Sequence, residues 1–300
     1  MKLTGLHLLL TYKCIYECDH CFVWGSPRQS GTMTTRTIDL ALQQAAEIDT
    51  VEWVYFEGGE PFLYYPVLQA AVASAKQNGF KVGIVTNAYW AIDEADAERW
   101  LRPFESQVED LSISGDLYHG DEIIGDNVTH AVKAAGKLGI PTNVITIGQP
   151  GEGKPESTEA PTSQGSYRVI YRGRAASALA GQAEKHAWDT FTECDGENLR
   201  EPGRLHLDPF GELHICQGIS IGNILRTPLK QLCASYDPDT HPVVGPLLEG
   251  GPARLVGRYG LAHEGEYADA CHLCYEARRA LRDRLPQTLT PDSMYGSPSK

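Results

Sequence analysis

Three thiols stand within eight residues near the start of the chain, Cys14-Ile15-Tyr16-Glu17-Cys18-Asp19-His20-Cys21, in the spacing CxxxCxxC. Thiolates are soft, polarizable ligands that suit iron–sulfur clusters and zinc. Three of them can grip three corners of a four-iron, four-sulfur cube and leave the fourth iron free for another ligand. The competing reading is a zinc site completed by His20 or by a distant cysteine. Zinc sites more often use two CxxC-type pairs, and this segment offers a triad.

Four more thiols lie far downstream: Cys194, then Cys216 closing Gly211-Glu212-Leu213-His214-Ile215-Cys216, then Cys271-His272-Leu273-Cys274. Four ligands would complete a cluster and leave no open iron, an arrangement suited to moving electrons. A Cys₄ zinc staple for a small domain is the alternative. Cys233, on an expected helix at 229–234, is spare and reads as a buried apolar residue. It could substitute for Cys194. Clustering at close spacings favours metal over a disulfide framework.

These side chains need a frame. The apolar run 6–11 reads as a buried strand that ends at the first thiols. Helices are expected at 35–48, 67–76, 94–101 and 127–138, and further strands at 51–56, 81–86, 108–114, 142–147 and 167–171. Short strands rich in Val and Ile that alternate with helices predict a parallel sheet covered by helices, able to close partly into a barrel. Residues 148–166 are nearly all Gly, Pro, Glu, Ser, Thr and Gln and are expected to form a flexible loop. The rhythm changes near 172–190. Segments 205–207 and 213–215, around Asp208-Pro209-Phe210-Gly211, read as a β-hairpin. A short helix at 277–285 and a frayed tail from Pro286 follow.

The strand after the thiol triad ends in Glu57-Gly58-Gly59-Glu60-Pro61. Two glycines let backbone approach a ligand closely, and Glu60 can accept hydrogen bonds from an ammonium group. CxxxCxxC followed one βα unit later by GGEP resembles the radical S-adenosylmethionine (SAM) superfamily, over residues 6–175. The resemblance implies a partial (β/α)₆ barrel in which Cys14, Cys18 and Cys21 ligate a [4Fe-4S] cluster whose open iron chelates SAM. It also implies reductive cleavage of SAM to a 5′-deoxyadenosyl radical that abstracts hydrogen from a substrate. Cofactor contacts are then expected from Gly58, Gly59, Glu60 and Pro61, and from His20 where the family often places an aromatic residue near adenine. Asn87 and Ser114, at the ends of the third and fourth strands, are expected near the SAM carboxylate or ribose. Arg172, in Tyr171-Arg172-Gly173-Arg174, is expected near adenine. Asp116, Tyr118 and His119 are candidates for substrate contact or proton transfer.

The second thiol set, with Ile221-Gly222-Asn223-Ile224, resembles the Twitch domain, a shortened SPASM domain. That implies a second, auxiliary [4Fe-4S] cluster on Cys194, Cys216, Cys271 and Cys274, with 237–270 as an insertion. The domains expected are 1–176 (partial barrel), 177–285 (auxiliary cluster) and 286–300 (flexible tail). The resemblance implies an electron donor such as a flavodoxin or ferredoxin, and a small-molecule substrate, with a peptide as the alternative. A scaffold that binds metal without cleaving SAM is the reading from another class.

Composition bounds the rest. The net charge of −13 disfavours binding to phosphate backbones. No apolar run approaches the roughly 20 residues a membrane helix needs, and the N-terminus carries no cleavage site for a signal peptide, so a cytoplasmic protein is expected.

Overall fold

A computed structural model of the chain describes residues 1–119, 122–151, 165–194 and 196–297. Its first half alternates strand and helix: β1 (Gly5–Thr11), α1 (Thr35–Ala46), β2 (Trp53–Gly58), α2 (Tyr65–Gln77), β3 (Lys81–Thr86), α3 (Glu94–Leu101), β4 (Asp110–Ser114), α4 (Glu122–Lys137), β5 (Thr142–Ile147) and β6 (Gly165–Tyr167). Then come α5 (Arg174–Ala178), β7 (His186–Ala187), β8 (Arg204–Leu207), β9 (Glu212–Cys216), β10 (Ile219–Asn223), α6 (Leu229–Ser235), α7 (Val244–Tyr259), β11 (Glu266–Tyr267) and α8 (Ala270–Leu281).

The expected α/β architecture with a parallel sheet is present. One nine-stranded sheet runs in the order β10-β9-β8-β1-β2-β3-β4-β5-β6. Strands β1 to β6 are parallel neighbours in chain order, the arrangement that successive right-handed crossovers produce. β1 is central and buried on both faces, which explains its Leu run: Leu6, Leu8, Leu9 and Leu10 are inaccessible to solvent. Side chains fix where the helices start. Thr34 caps α1 by accepting from Thr37 N, Asp93 caps α3 through Asp96 N, and Asp269 caps α8 through His272 N.

Several features differ from the sequence-based expectation. β8 pairs in parallel with β1, and β9 and β10 extend the same sheet antiparallel, so the sheet continues past residue 176. The strand expected at 167–171 is β6, ending at Tyr167. The loop expected at 148–166 falls largely on 152–164, outside the described residues. The helix expected at 277–285 begins earlier, at Ala270, because Asp269 supplies its cap and Cys271 and Cys274 lie in its first turns.

The insertion at 237–270 contains α7, which is broken at Gly250 and Gly251 ahead of Pro252. Gly251 has φ +63°, and a Cβ there would lie 2.4 Å from Glu193 N, so the break lets α7 press on the segment leading to Cys194. The terminal stretch expected to fray instead packs as far as Tyr295. Ser293, Met294 and Tyr295 are buried, and Tyr295 donates to Gly218 O at 2.8 Å. Apolar side chains at 294 and 295 supply burial that a Pro/Ser/Thr count overlooks.

Candidate functional site

The loop after β1 folds back on itself and gathers the first thiols. Cys14 N donates to Ser26 O (3.1 Å), Cys21 N to Cys18 O (3.0 Å), and Tyr12 N to Gly31 O (3.1 Å). The β2 turn docks on this loop: Gly59 N donates to Thr11 O (2.6 Å) and Glu60 N to Lys13 O (2.8 Å). A Cβ at Gly58 would lie 2.4 Å from Thr11 O, and one at Gly59 2.0 Å from Lys13 O. The two glycines are therefore required, among the groups present, by the approach of turn to thiol loop.

Cys14, Cys18 and Cys21 line one cavity of about 130 Å³, with His20, Glu57, Gly58, Gly59, Asn87, Ser114 and His119 also on its wall. The donor set fits a cluster. Backbone N–H groups of Tyr16 and Gly25 point at Cys14 Sγ (3.4 Å) and Cys21 Sγ (3.2 Å), and Asn87 Nδ2 lies 3.5 Å from Cys14 Sγ. Such donors favour thiolate sulfur. Burial pushes the Cys14 and Cys18 thiols above their ordinary range, so they stay protonated until a cation displaces the proton.

Glu60 is fully buried and its carboxylate already accepts from Phe62 N, Thr86 Oγ1 and Asn87 N at 2.8–2.9 Å. Burial pushes this carboxyl up to about 7 against the pull of those three bonds. Its side chain ties the β2 turn to the end of β3 and so aims Asn87. Pro61 opens the short 3₁₀ turn that follows.

His20, Asp116, Tyr118 and His119 converge beside the thiols. His119 Nδ1 lies 2.8 Å from Asp116 Oδ1, and His20 Nε2 3.7 Å from Asp116 Oδ2. The His20 ring sits 4.7 Å from Tyr118 and 5.5 Å from His119. Burial lowers His20 to about 4, leaving it neutral at pH 7 and able to pack as a planar ring. Of the three candidates for proton transfer, His119 lines the cavity. The Tyr118 hydroxyl donates to Gly148 O, and Asp116 orients His119.

The four remaining thiols expected to act together do meet. Cys194, Cys216, Cys271 and Cys274 line a second cavity with Arg172, Glu197 and Arg278. Arg172 belongs here: its Nη1 lies 3.4 Å from Cys216 Sγ and 3.3 Å from Glu197. Arg172, in the segment whose backbone is expected near adenine, is not among the residues that line the first cavity. The adjacent Gly173 explains this, because it presses on Phe22 and Cys21 while the Arg172 side chain passes over the Phe22 ring to the other cavity. Two guanidiniums beside four thiols offset the charge that full deprotonation would create. Cys233 is buried elsewhere, against the N-terminus.

Sequence reasoning missed Arg174. Its Nη1 donates to Cys18 O and its Nη2 to Gly25 O, both at 2.7 Å, and its guanidinium sits over Trp24. Trp24 Nε1 in turn donates to Tyr275 OH on α8, joining the first thiol loop to the helix of the last two thiols. A basic residue one position after a glycine gives no local signal of such a clamp.

The Radical SAM superfamily model matches residues 8–157. A Bacillus subtilis (strain 168) protein named for peptide biosynthesis, YydG, is 25% identical over 129 residues, 43% of this chain. The match covers 40% of that relative, well short of two thirds of its length. Among solved structures, BtrN in complex with AdoMet and 2-DOIA covers 85% of this chain and 89% of its own, at 12% identity and TM-score 0.49. The anSMEcpe structure with bound AdoMet and Cp18Cys peptide covers 95% and 98%, at 14% identity and TM-score 0.48.

Proposed function

Because the chain belongs to the radical SAM superfamily, we propose that it cleaves SAM reductively at the first cavity and abstracts hydrogen from a substrate held beside it. The observation that carries this reading is the convergence of Cys14, Cys18 and Cys21 on a cavity also walled by Gly58, Gly59, Asn87 and Ser114. Cys14, Cys18 and Cys21 would hold a [4Fe-4S] cluster, which when bound would supply the electron for reductive cleavage of SAM. The protein's share is preorganisation. Glu60 locks the turn that presents the glycine backbone, Asn87 donates toward Cys14, and His20 and His119 close one side of the cavity. Ser114 offers a hydroxyl to the cofactor, and a flavodoxin or ferredoxin would deliver the electron.

In this reading residues 177–285 serve the second thiol set, where Cys194, Cys216, Cys271 and Cys274 would hold an auxiliary [4Fe-4S] cluster that would supply an electron acceptor for substrate oxidation. Arg172 and Arg278 would favour the more reduced state of that cluster by Coulomb attraction. The substrate is a small molecule or a peptide, and the similarity to a relative named for peptide biosynthesis favours the peptide. The test is deuterium transfer. Reduced, anaerobically reconstituted protein is incubated with SAM and perdeuterated candidates of both classes. Deuterium in 5′-deoxyadenosine identifies the class, and a product free of deuterium across both sets contradicts hydrogen abstraction from either.

Arg174 provides a second check. Each of its two charge-assisted bonds is worth about 1.5–3 kcal/mol. Arg174→Gln is expected to cut 5′-deoxyadenosine formation by roughly tenfold or more, with iron lost from the first site. Arg174→Lys, which keeps the charge and loses the fork, should restore part of it.

A further inference from the structure

His7 and His206 face each other across the pairing of β1 with β8, as direct register partners. Glu57 comes from the other neighbour of β1, opposite Leu9. Period-2 alternation puts all three on the face of the sheet opposite Leu6, Leu8, Phe56, Leu205 and Leu207, which are buried under the helices. His7 Nδ1 lies 3.4 Å from Glu57 Oε2, and His206 Nε2 3.1 Å from Glu57 Oε1. The three ligand atoms fall within 4.8 Å of one another.

The approach is close, yet its angles leave His7 Nδ1 and Glu57 Oε1 buried without a hydrogen-bond partner among the described residues. Buried polar atoms are normally satisfied, so two that converge beside His206 Nε2 and stay unsatisfied call for another partner. The surroundings hold the rings in place. Tyr55 stacks on His7 at 4.7 Å, and Phe22 meets the His206 ring edge-on at 6.1 Å.

We propose that His7, Glu57 and His206 form a binding site for a divalent first-row metal ion, separate from both thiol sets. Two imidazoles and one carboxylate suit Fe(II), Co(II), Ni(II) or Zn(II), and three protein ligands leave coordination positions open. Glu57 also lines the first cavity. Arg204, two residues before His206, leads through Glu197 (3.8 Å) and Arg172 (3.3 Å) to Cys216. The metal would therefore sit between the two thiol cavities, where its open positions would take an oxygen or nitrogen donor of the substrate.

The probe is Co(II), added to anaerobically purified protein whose iron–sulfur content is loaded and held oxidised, and so silent in electron paramagnetic resonance. The wild type is expected to retain one equivalent of cobalt after desalting, with a high-spin signal that carries imidazole nitrogen coupling. Glu57→Gln, His206→Ala and His7→Gln should each weaken retention by roughly tenfold or more. Unchanged iron and sulfide in each variant verifies folding. Equal cobalt retention in wild type and variants, or no retention by the wild type, would overturn the site.

Discussion

Replacing Cys14, Cys18 and Cys21 together by alanine is expected to abolish 5′-deoxyadenosine formation, a fall of at least about a thousandfold. Residues that act as one unit lose nearly all function together. These three share one cavity and receive the N–H groups of Tyr16 and Gly25 and the Asn87 amide. Alanine leaves those donors in place and removes all three thiols that could hold a cluster there. The loop should keep its path, because its closure depends on backbone bonds such as Cys14 N to Ser26 O and on the Arg174 clamp. The check is chromatographic assay of SAM products, with circular dichroism to verify folding. A triple variant that still cleaved SAM would show that the reaction is initiated elsewhere.

Changing Cys271 and Cys274 to alanine is expected to have a different signature. Iron and sulfide should fall by about one cubane, roughly four of each, while cleavage of SAM at the first cavity persists. Both residues lie near the start of α8, whose cap is Asp269, so the helix itself has no need of the thiols. Oxidation of the substrate should fail even though hydrogen is abstracted, because the acceptor is gone. Iron and sulfide that stay constant, with one zinc lost per chain, would assign the second set to a structural zinc site instead.

The parts of the fold that were legible in the sequence are those written in local pattern. β1 to β5 announce themselves as short runs rich in Val, Ile and Leu, and β1, buried along nearly its whole length, needs no polar alternation. Thr34 and Asp93 cap α1 and α3 over three residues, a local signal on which the expected bounds of those helices do not rest. Pairings across long separations carry no such mark. That β8 returns to flank β1 follows from burial of Leu205 and Leu207 against the same core, a fact about the assembled sheet.

The candidate site divides the same way. CxxxCxxC and the GGEP turn could be read because their spacing is local, and the two thiol sets each converge on a cavity. Side-chain direction could not be read. Arg172 and Arg174 are two residues apart at the start of α5, yet one reaches Cys216 and the other clamps Cys18 and Gly25. Leu6-His7-Leu8 and Leu205-His206-Leu207 did leave a trace, a polar residue set twice between buried leucines. It gains meaning only once the register makes the two histidines partners.

The most direct test of the account is the electron paramagnetic resonance spectrum of dithionite-reduced, anaerobically purified protein, recorded with and without SAM. SAM bound at an open iron held by Cys14, Cys18 and Cys21 should shift the g values of one [4Fe-4S]⁺ signal, and that signal should be missing from the triple alanine variant. A spectrum indifferent to SAM, from protein that carries only tetrahedral zinc at those thiols, would contradict it.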